Sequence, residues 1–531
     1  MGLIYRGDDA RTLLIRECKV VISALDELLT SYDHDTLITA LYTRLEGYIQ
    51  KSDLSYELFG KDMVPDEEMA TYIPKSDNET SSCRYLIERA AYIETSGTEK
   101  EIDDYMVSKL IKYASVVINM SDSIEYLRIP EFIDITVNLD IGDFVDVKVQ
   151  DPDPFLAFRR IQFTKMKEYG PPPKSSEPHK KVSESVETIR STNEELMSNR
   201  IFSELDNGYR ETFGFRFYEH MLVLLAIEEL FDEDRNQGLT IIKRNNSVMF
   251  SKTRLVLEYS ERDLIESIFD KTKFDRETIA KIISFCAINS KQHPIREVLP
   301  WNADTAPNRT EIKPLVILKT GNLIFGIPSL FSSRYFISTR LRAGHWPYSD
   351  KYLSETLRSA LQKFQKKYSE SFENSIFLDI KKLLVKSESN IASAKNDKCL
   401  VNIRDECPGQ LDILSLDPKN KKIILWEVKH YFPEYSARGI VNNIEEFSNP
   451  NMKKGYAVKI NNKVSFLERH IKEILSFYKI DDYGDWVVTY CMVVSEETLQ
   501  KRILANKYRI IDALEIENFI KNNYQLPLNG S

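Results

Sequence analysis

Apolar positions Leu14, Cys18, Val21, Leu25 and Leu28 recur at intervals of three and four, and Leu37, Leu41, Leu45 and Ile49 repeat the spacing, so helices are predicted over residues 10–60. A further helix is predicted over Tyr105–Met120, and Ile133–Val149 alternates as strands do. Helical periodicity returns over Asn199–Ile288. From Trp301 the pattern changes: Leu315–Leu318 and Leu323–Phe325 flank Lys319-Thr320-Gly321-Asn322, and the Gly-Asn pair predicts a hairpin. Leu353, Leu357, Leu361, Phe364, Tyr368, Phe372, Ile376 and Ile380 then form one stripe of a long helix. Asn390–Cys407 reads as irregular, Pro433–Pro450 as a polar loop with room for a short helix, and Met452–Tyr478 as a helix with Val464, Leu467, Ile471 and Ile474 inward. An apolar strand at Trp486–Val494, a helix at 496–505 and a final strand and helix complete an α/β order.

Gly409–His430 interrupts this regularity. Leu411, Ile413, Leu414 and Leu416 make one strand-like run and Ile423–Trp426 with Val428 a second, with Asp417-Pro418-Lys419-Asn420 between them as a turn. Asp412, Glu427 and Lys429 are charged residues inside these apolar runs, where an ion is costly unless it is paired or binds a metal. Residues two apart on a strand share a face, so Glu427 and Lys429 point together and Asp412 on the antiparallel partner can face them.

Composition narrows the classes. The 531 residues are 42% hydrophobic and 29% charged, the balance of a soluble protein with several domains, and the longest apolar run, Met221–Ile227, is far too short for a membrane span. No basic, apolar and small-residue leader opens the chain, so a cytoplasmic location is expected. The six cysteines form no CxxC pair and are expected to be reduced and mostly buried. A net charge of −9 argues against general nucleic-acid binding through a basic coat, so any such site must be local. One local candidate is residues 451–472, where Lys453, Lys454, Lys459, Lys463, Arg469 and Lys472 outnumber Glu468. The Pro-, Ser- and Lys-rich run 168–197 reads as a linker. It divides a mainly helical domain at 1–167 from a helical middle region at 198–348 and an α/β domain at 349–531.

Other motifs fail on chemistry. Asp232, Asp234, Asn236 and Gly238 resemble a calcium loop, but the glycine comes one place late and Lys243 stands where a glutamate is required. The Lys319-Thr320-Gly321 triplet lacks the SxxK nucleophile of serine acyltransferases. No Walker loop, Rossmann glycine fingerprint, HExxH or internal repeat is present, so nothing supports ATP- or NAD-driven chemistry.

Two carboxylates, the main-chain carbonyl of Val428 and an adjacent lysine are hard oxygen donors beside a cation, which suits Mg²⁺ and a phosphodiester. Asp412, a turn, and Glu427-Val428-Lys429 ending an apolar strand resemble the PD-(D/E)xK signature of restriction-endonuclease-like nucleases, with Leu411 where the signature has proline. The resemblance covers about residues 350–525. It implies a mixed four-stranded sheet flanked by helices, Mg²⁺ or Mn²⁺ dependence and cleavage of nucleic acid, DNA before RNA. It also implies a helix carboxylate completing the metal set with Asp412, Glu427 and the Val428 carbonyl; Glu373 is the match, with Glu370 one turn earlier as the alternative. Lys453, Lys454, Lys459 and Lys463 are then candidate phosphate contacts, and His430, facing the other way, is structural. By analogy with long bacterial nucleases, control by the N-terminal region, antiviral defence and homo-oligomerisation or a regulatory partner are expected. A nuclease fold that binds or scaffolds without cutting, and an RNA-directed enzyme, are the alternatives.

Overall fold

The computed structural model describes residues 3–59, 67–93, 102–139, 145–151, 155, 200–235, 242–244, 247–249, 256–288, 309–342, 344–348, 352–386, 391–404, 407–430, 436–448, 455–495, 498–505 and 507–524. The expected linker at 168–197, Lys453, Lys454, and Asn236 and Gly238 of the loop weighed for calcium lie outside these residues.

Contacts group the chain into two compact units, drawn differently from a division at 167, 197 and 348. One joins 11–124 to 163–365, and the other joins 1–10 and 125–162 to 366–531. The first unit is largely helical, as the periodicity predicts: Gly7–Leu29 for most of its length, His34–Phe59, Glu67–Ala90 and Asp104–Tyr126 are helices. It also holds a four-stranded sheet, in which Leu315–Ile317 and Asn322–Gly326 form the expected antiparallel hairpin around Gly321, whose φ of 88° is a left-handed conformation that glycine adopts without strain. Its core gathers Phe215, Phe217, Leu224, Ile268, Ile283, Phe325 and Leu357.

The second unit carries the charged hairpin. Its elements are α1 (Glu355–Lys386, the C-terminal part), β1 (Ile391–Ala394), α2 (Lys398–Arg404), β2 (Ile413–Asp417), β3 (Lys422–Lys429), α3 (Ala437–Ser448), α4 (Tyr456–Arg469), α5 (Ile471–Phe477), β4 (Val487–Val494), α6 (Leu499–Ala505), β5 (Ile510–Asp512) and α7 (Ile516–Lys521). The strands form one mixed sheet in chain order, with β1, β2 and β3 antiparallel and β3, β4 and β5 parallel. The expected sheet thus has five strands rather than four. The fifth is β1, which with α2 falls in the stretch that reads as irregular, because Ile391-Ala-Ser-Ala is too short and too small-sided to announce a strand. The helix expected over Met452–Tyr478 is two helices, α4 and α5, parted at His470. Leu3–Tyr5, Ile135–Leu139 and Val145–Val149 add a separate three-stranded antiparallel sheet to this unit.

Period-two alternation sorts the hairpin's side chains onto two cores. Ile413, Ile424, Trp426 and Val428 pack with Ile376, Ile380 and Leu384 of α1 and with Phe519 of α7. Leu414, Leu416, Ile423 and Leu425 pack on the opposite face with Phe466 and Leu467 of α4 and Ile474 and Leu475 of α5. Trp426 is wholly buried, and its indole N–H donates to the Ser415 hydroxyl at 2.7 Å, so the largest side chain of the sheet leaves no polar atom unsatisfied.

Candidate functional site

The ladder between β2 and β3 ends at the pair Ile413 and Trp426. Beyond it the chain before β2 turns away, and the Val428 N–H that would continue the ladder is taken by Asp412 Oδ2 at 2.9 Å. A strand residue projects its N–H and C=O to the same side, so the Val428 carbonyl also faces the gap that Asp412 enters. Glu427 and Lys429 follow the parity of Ile423 and Leu425 and therefore face α4.

These placements bring Asp412, Glu427 and Lys429 together. Asp412 is 6% exposed and Glu427 4%. Lys429 Nζ stands 3.0 Å from Glu427 Oε1 and 3.5 Å from Asp412 Oδ2. Burial, and next the Glu427 charge, push the Asp412 carboxyl up to about 6, against the pull of both nearby lysines and the Val428 N–H. Burial alone would lower Lys429, but the charges of Glu427 and Asp412 outweigh it and hold the ammonium above its ordinary value. The ring of Tyr456, at the start of α4, lies beneath Lys429 Nζ at 5.5 Å and Lys459 Nζ at 5.0 Å from its centroid.

Lys463 departs from expectation. It is not a surface residue reaching for phosphate: it is 5% exposed, and its Nζ lies 2.7 Å from Glu427 Oε2. It sits two turns after Tyr456 in the inward row Ala457, Ile460, Lys463, Phe466 and Leu467. A lysine inside an apolar helical stripe is the signal for such a partner, and reading residues 451–472 as one basic surface hides it. Lys459 is exposed, as expected.

Glu373 also departs. Its carboxylate accepts from Lys395 Nζ at 2.7 Å, and α1 packs on the sheet face opposite Glu427. Among the described residues no three His, Cys, Asp or Glu side chains stand close enough to hold a metal, so the expected set of Asp412, Glu427 and Glu373 is not assembled. Its alternative, Glu370, lies one turn earlier on the same helix. Donors for a hard cation are thus two carboxylates and one carbonyl. His430 packs against Tyr368 and Phe372 of α1, with ring centroids 5.4 and 5.7 Å away, on the far face of the sheet from Lys429.

The thiols are free and all but Cys407 are buried. One contact has the geometry of a nucleophilic pair, Cys286 Sγ to His220 Nε2 at 3.0 Å. Burial pushes that thiol up to about 12 and the imidazole down to about 3, so both are neutral, and Tyr209 and Tyr348 continue the hydrogen-bonded chain inside the core. It is structural. Among the described residues no helix is long and apolar enough to cross a membrane. Compared with known protein families, curated proteins and solved structures, the chain finds no match.

Proposed function

We propose that the chain is a Mg²⁺-dependent phosphodiesterase of the PD-(D/E)xK kind that cleaves the backbone of nucleic acid, DNA in preference to RNA. The observation that carries this reading is the buried convergence of Asp412, Glu427 and Lys429 on one sheet face, where β2 and β3 part. Burial first, and then the neighbouring Glu427 charge, raise Asp412, a strain that a divalent cation would relieve, and Asp412, Glu427 and the Val428 carbonyl would hold it. Such an ion lowers the pKa of a bound water and polarises the phosphoryl oxygen. Lys429, beside both carboxylates, would orient the attacking water and stabilise the charge that develops on phosphate as the P–O bond breaks. Exposed Lys459 is left as a phosphate contact on α4.

A second reading, a nuclease-like domain that binds without cutting, is favoured by charge balance, since two ammonium groups already face two carboxylates. Incubating purified protein with Mg²⁺ or Mn²⁺ and matched duplex DNA, single-stranded DNA and RNA separates the two. Cleavage is expected, falling about 100-fold or more in Lys429→Ala and Asp412→Asn, as is usual when a transition-state charge partner is removed. Cleavage by none of the preparations, or equal cleavage by Lys429→Ala, eliminates the phosphodiesterase reading.

A further inference from the structure

Lys463 has no counterpart in the Asp, Glu-x-Lys signature, yet it is among the most deliberately placed groups of the site. Its side chain runs past Gly409, where an added Cβ would meet Lys463 Cε at 3.3 Å, and ends against Glu427 Oε2. Lys429 holds the other oxygen, Oε1. Both oxygens of Glu427 are therefore capped by ammonium groups on a buried face.

Mg²⁺ binds carboxylate oxygen at about 2.0–2.1 Å. An ammonium 2.7 Å from the same oxygen occupies the space and satisfies the charge that the metal would use. Two cations this close in a poorly solvated site repel strongly. Lys429 is anchored by a second carboxylate, Asp412, and by the Tyr456 ring. Lys463, with Glu427 as its carboxylate partner, is the one that can yield, through rotation of a long side chain.

On these grounds, and resting on the metal-dependent reading above, we propose that Lys463 is a resident cation that competes with the divalent metal for Glu427. The site then has two states. In one the Lys463–Glu427 pair is closed and no metal is held; in the other the metal takes Glu427 and the Lys463 ammonium is released. Metal affinity is thereby set lower than the donors alone would give, and any change that shifts α4 also shifts metal loading.

The test reads binding rather than cleavage. Mg²⁺ affinity of the full-length chain is measured by calorimetry for the parent, for Lys463→Met, which keeps length without charge, and for Lys463→Arg, which keeps charge. The Met variant is expected to bind at least 10-fold more tightly than the parent, about 1.4 kcal/mol, and the Arg variant no more tightly than the parent. On the unmutated chain, the ¹⁵N ammonium resonance assigned to Lys463 by its loss in Lys463→Arg is expected to move with the same midpoint as the calorimetric titration. That measurement stands even if the Met variant does not fold. Parent and Met variant binding equally, or a Lys463 resonance unmoved at saturating Mg²⁺, overturns the competition while leaving the metal-dependent reading intact. Mg²⁺ binding by neither overturns both.

Discussion

Glu427 shows how a single buried ion is tolerated. At 4% exposure its charge would be prohibitive alone, but Lys429 and Lys463 each hold one of its oxygens, 3.0 and 2.7 Å away. Either lysine can be neutralised with the other still paired, whereas losing both strands a buried carboxylate. Lys429→Met combined with Lys463→Met is therefore expected to cost about 3–5 kcal/mol in urea unfolding without metal, more than the two single costs added. Additive costs would show that solvent reaches Glu427. The residues of the Asp, Glu-x-Lys set were legible in the sequence because charges inside apolar strand runs stand out. Lys463 was less so, since residues 451–472 hold six basic groups and only the inward phase of the helix separates this one from the rest.

At the scale of elements, a second buried carboxylate ties helices together in the other unit. Glu46, on the helix His34–Phe59, is fully buried and accepts from the Ser329 hydroxyl and, at 3.3 Å, from the Ser329 N–H in the first turn of the helix Ile327–Arg342. Gly326 makes room for it, because a Cβ there would stand 2.1–2.5 Å from Glu46 atoms. Burial raises the Glu46 carboxyl to about 8, against the pull of Ser329 and Arg84. The folded chain thus keeps a proton that the unfolded chain loses near 4.5, and stability contributed here falls as pH rises from about 4.5 to about 8. Urea midpoints compared at about pH 5 and pH 8 are expected to fall in the parent and to fall less in Glu46→Gln; equal falls would place the proton elsewhere. Neither Glu46 nor its pairing was foreseeable, because its partner lies 283 positions away. Helix periodicity was legible for most of the chain, while the short strand Ile391–Ala394 was not, since strands of small residues carry little hydrophobic signal and form when a neighbouring strand supplies the hydrogen bonds.

For the whole molecule, the unit that holds the sheet is assembled from three stretches of chain. Arg128 reaches Glu445 of α3 at 2.5 Å, and Lys507 Nζ lies 4.2 Å from the centroid of the Phe132 ring. A fragment of residues 349–531 is therefore expected to be less stable than the same sheet in the full chain. Its amide exchange in β3 and β4 should be faster by 10-fold or more, the equivalent of about 1.4 kcal/mol. Equal protection would mean that the early segments add nothing to the sheet. A cut chosen from composition at 348 misses this, because composition reports local character and not which distant segments share a core.

By itself the sequence determined the helical and strand periods, the hairpin around Asp417–Asn420 and the three charges that ask for a partner, because each is written in residues close together along the chain. Tertiary structure alone decided which charges meet. It set Glu373 on the face away from Glu427, turned Lys463 inward to the carboxylate, and grouped early segments of the chain with the unit that holds the sheet. Those outcomes depend on which face each helix covers and on contacts across hundreds of residues, and local spacing carries no term for either.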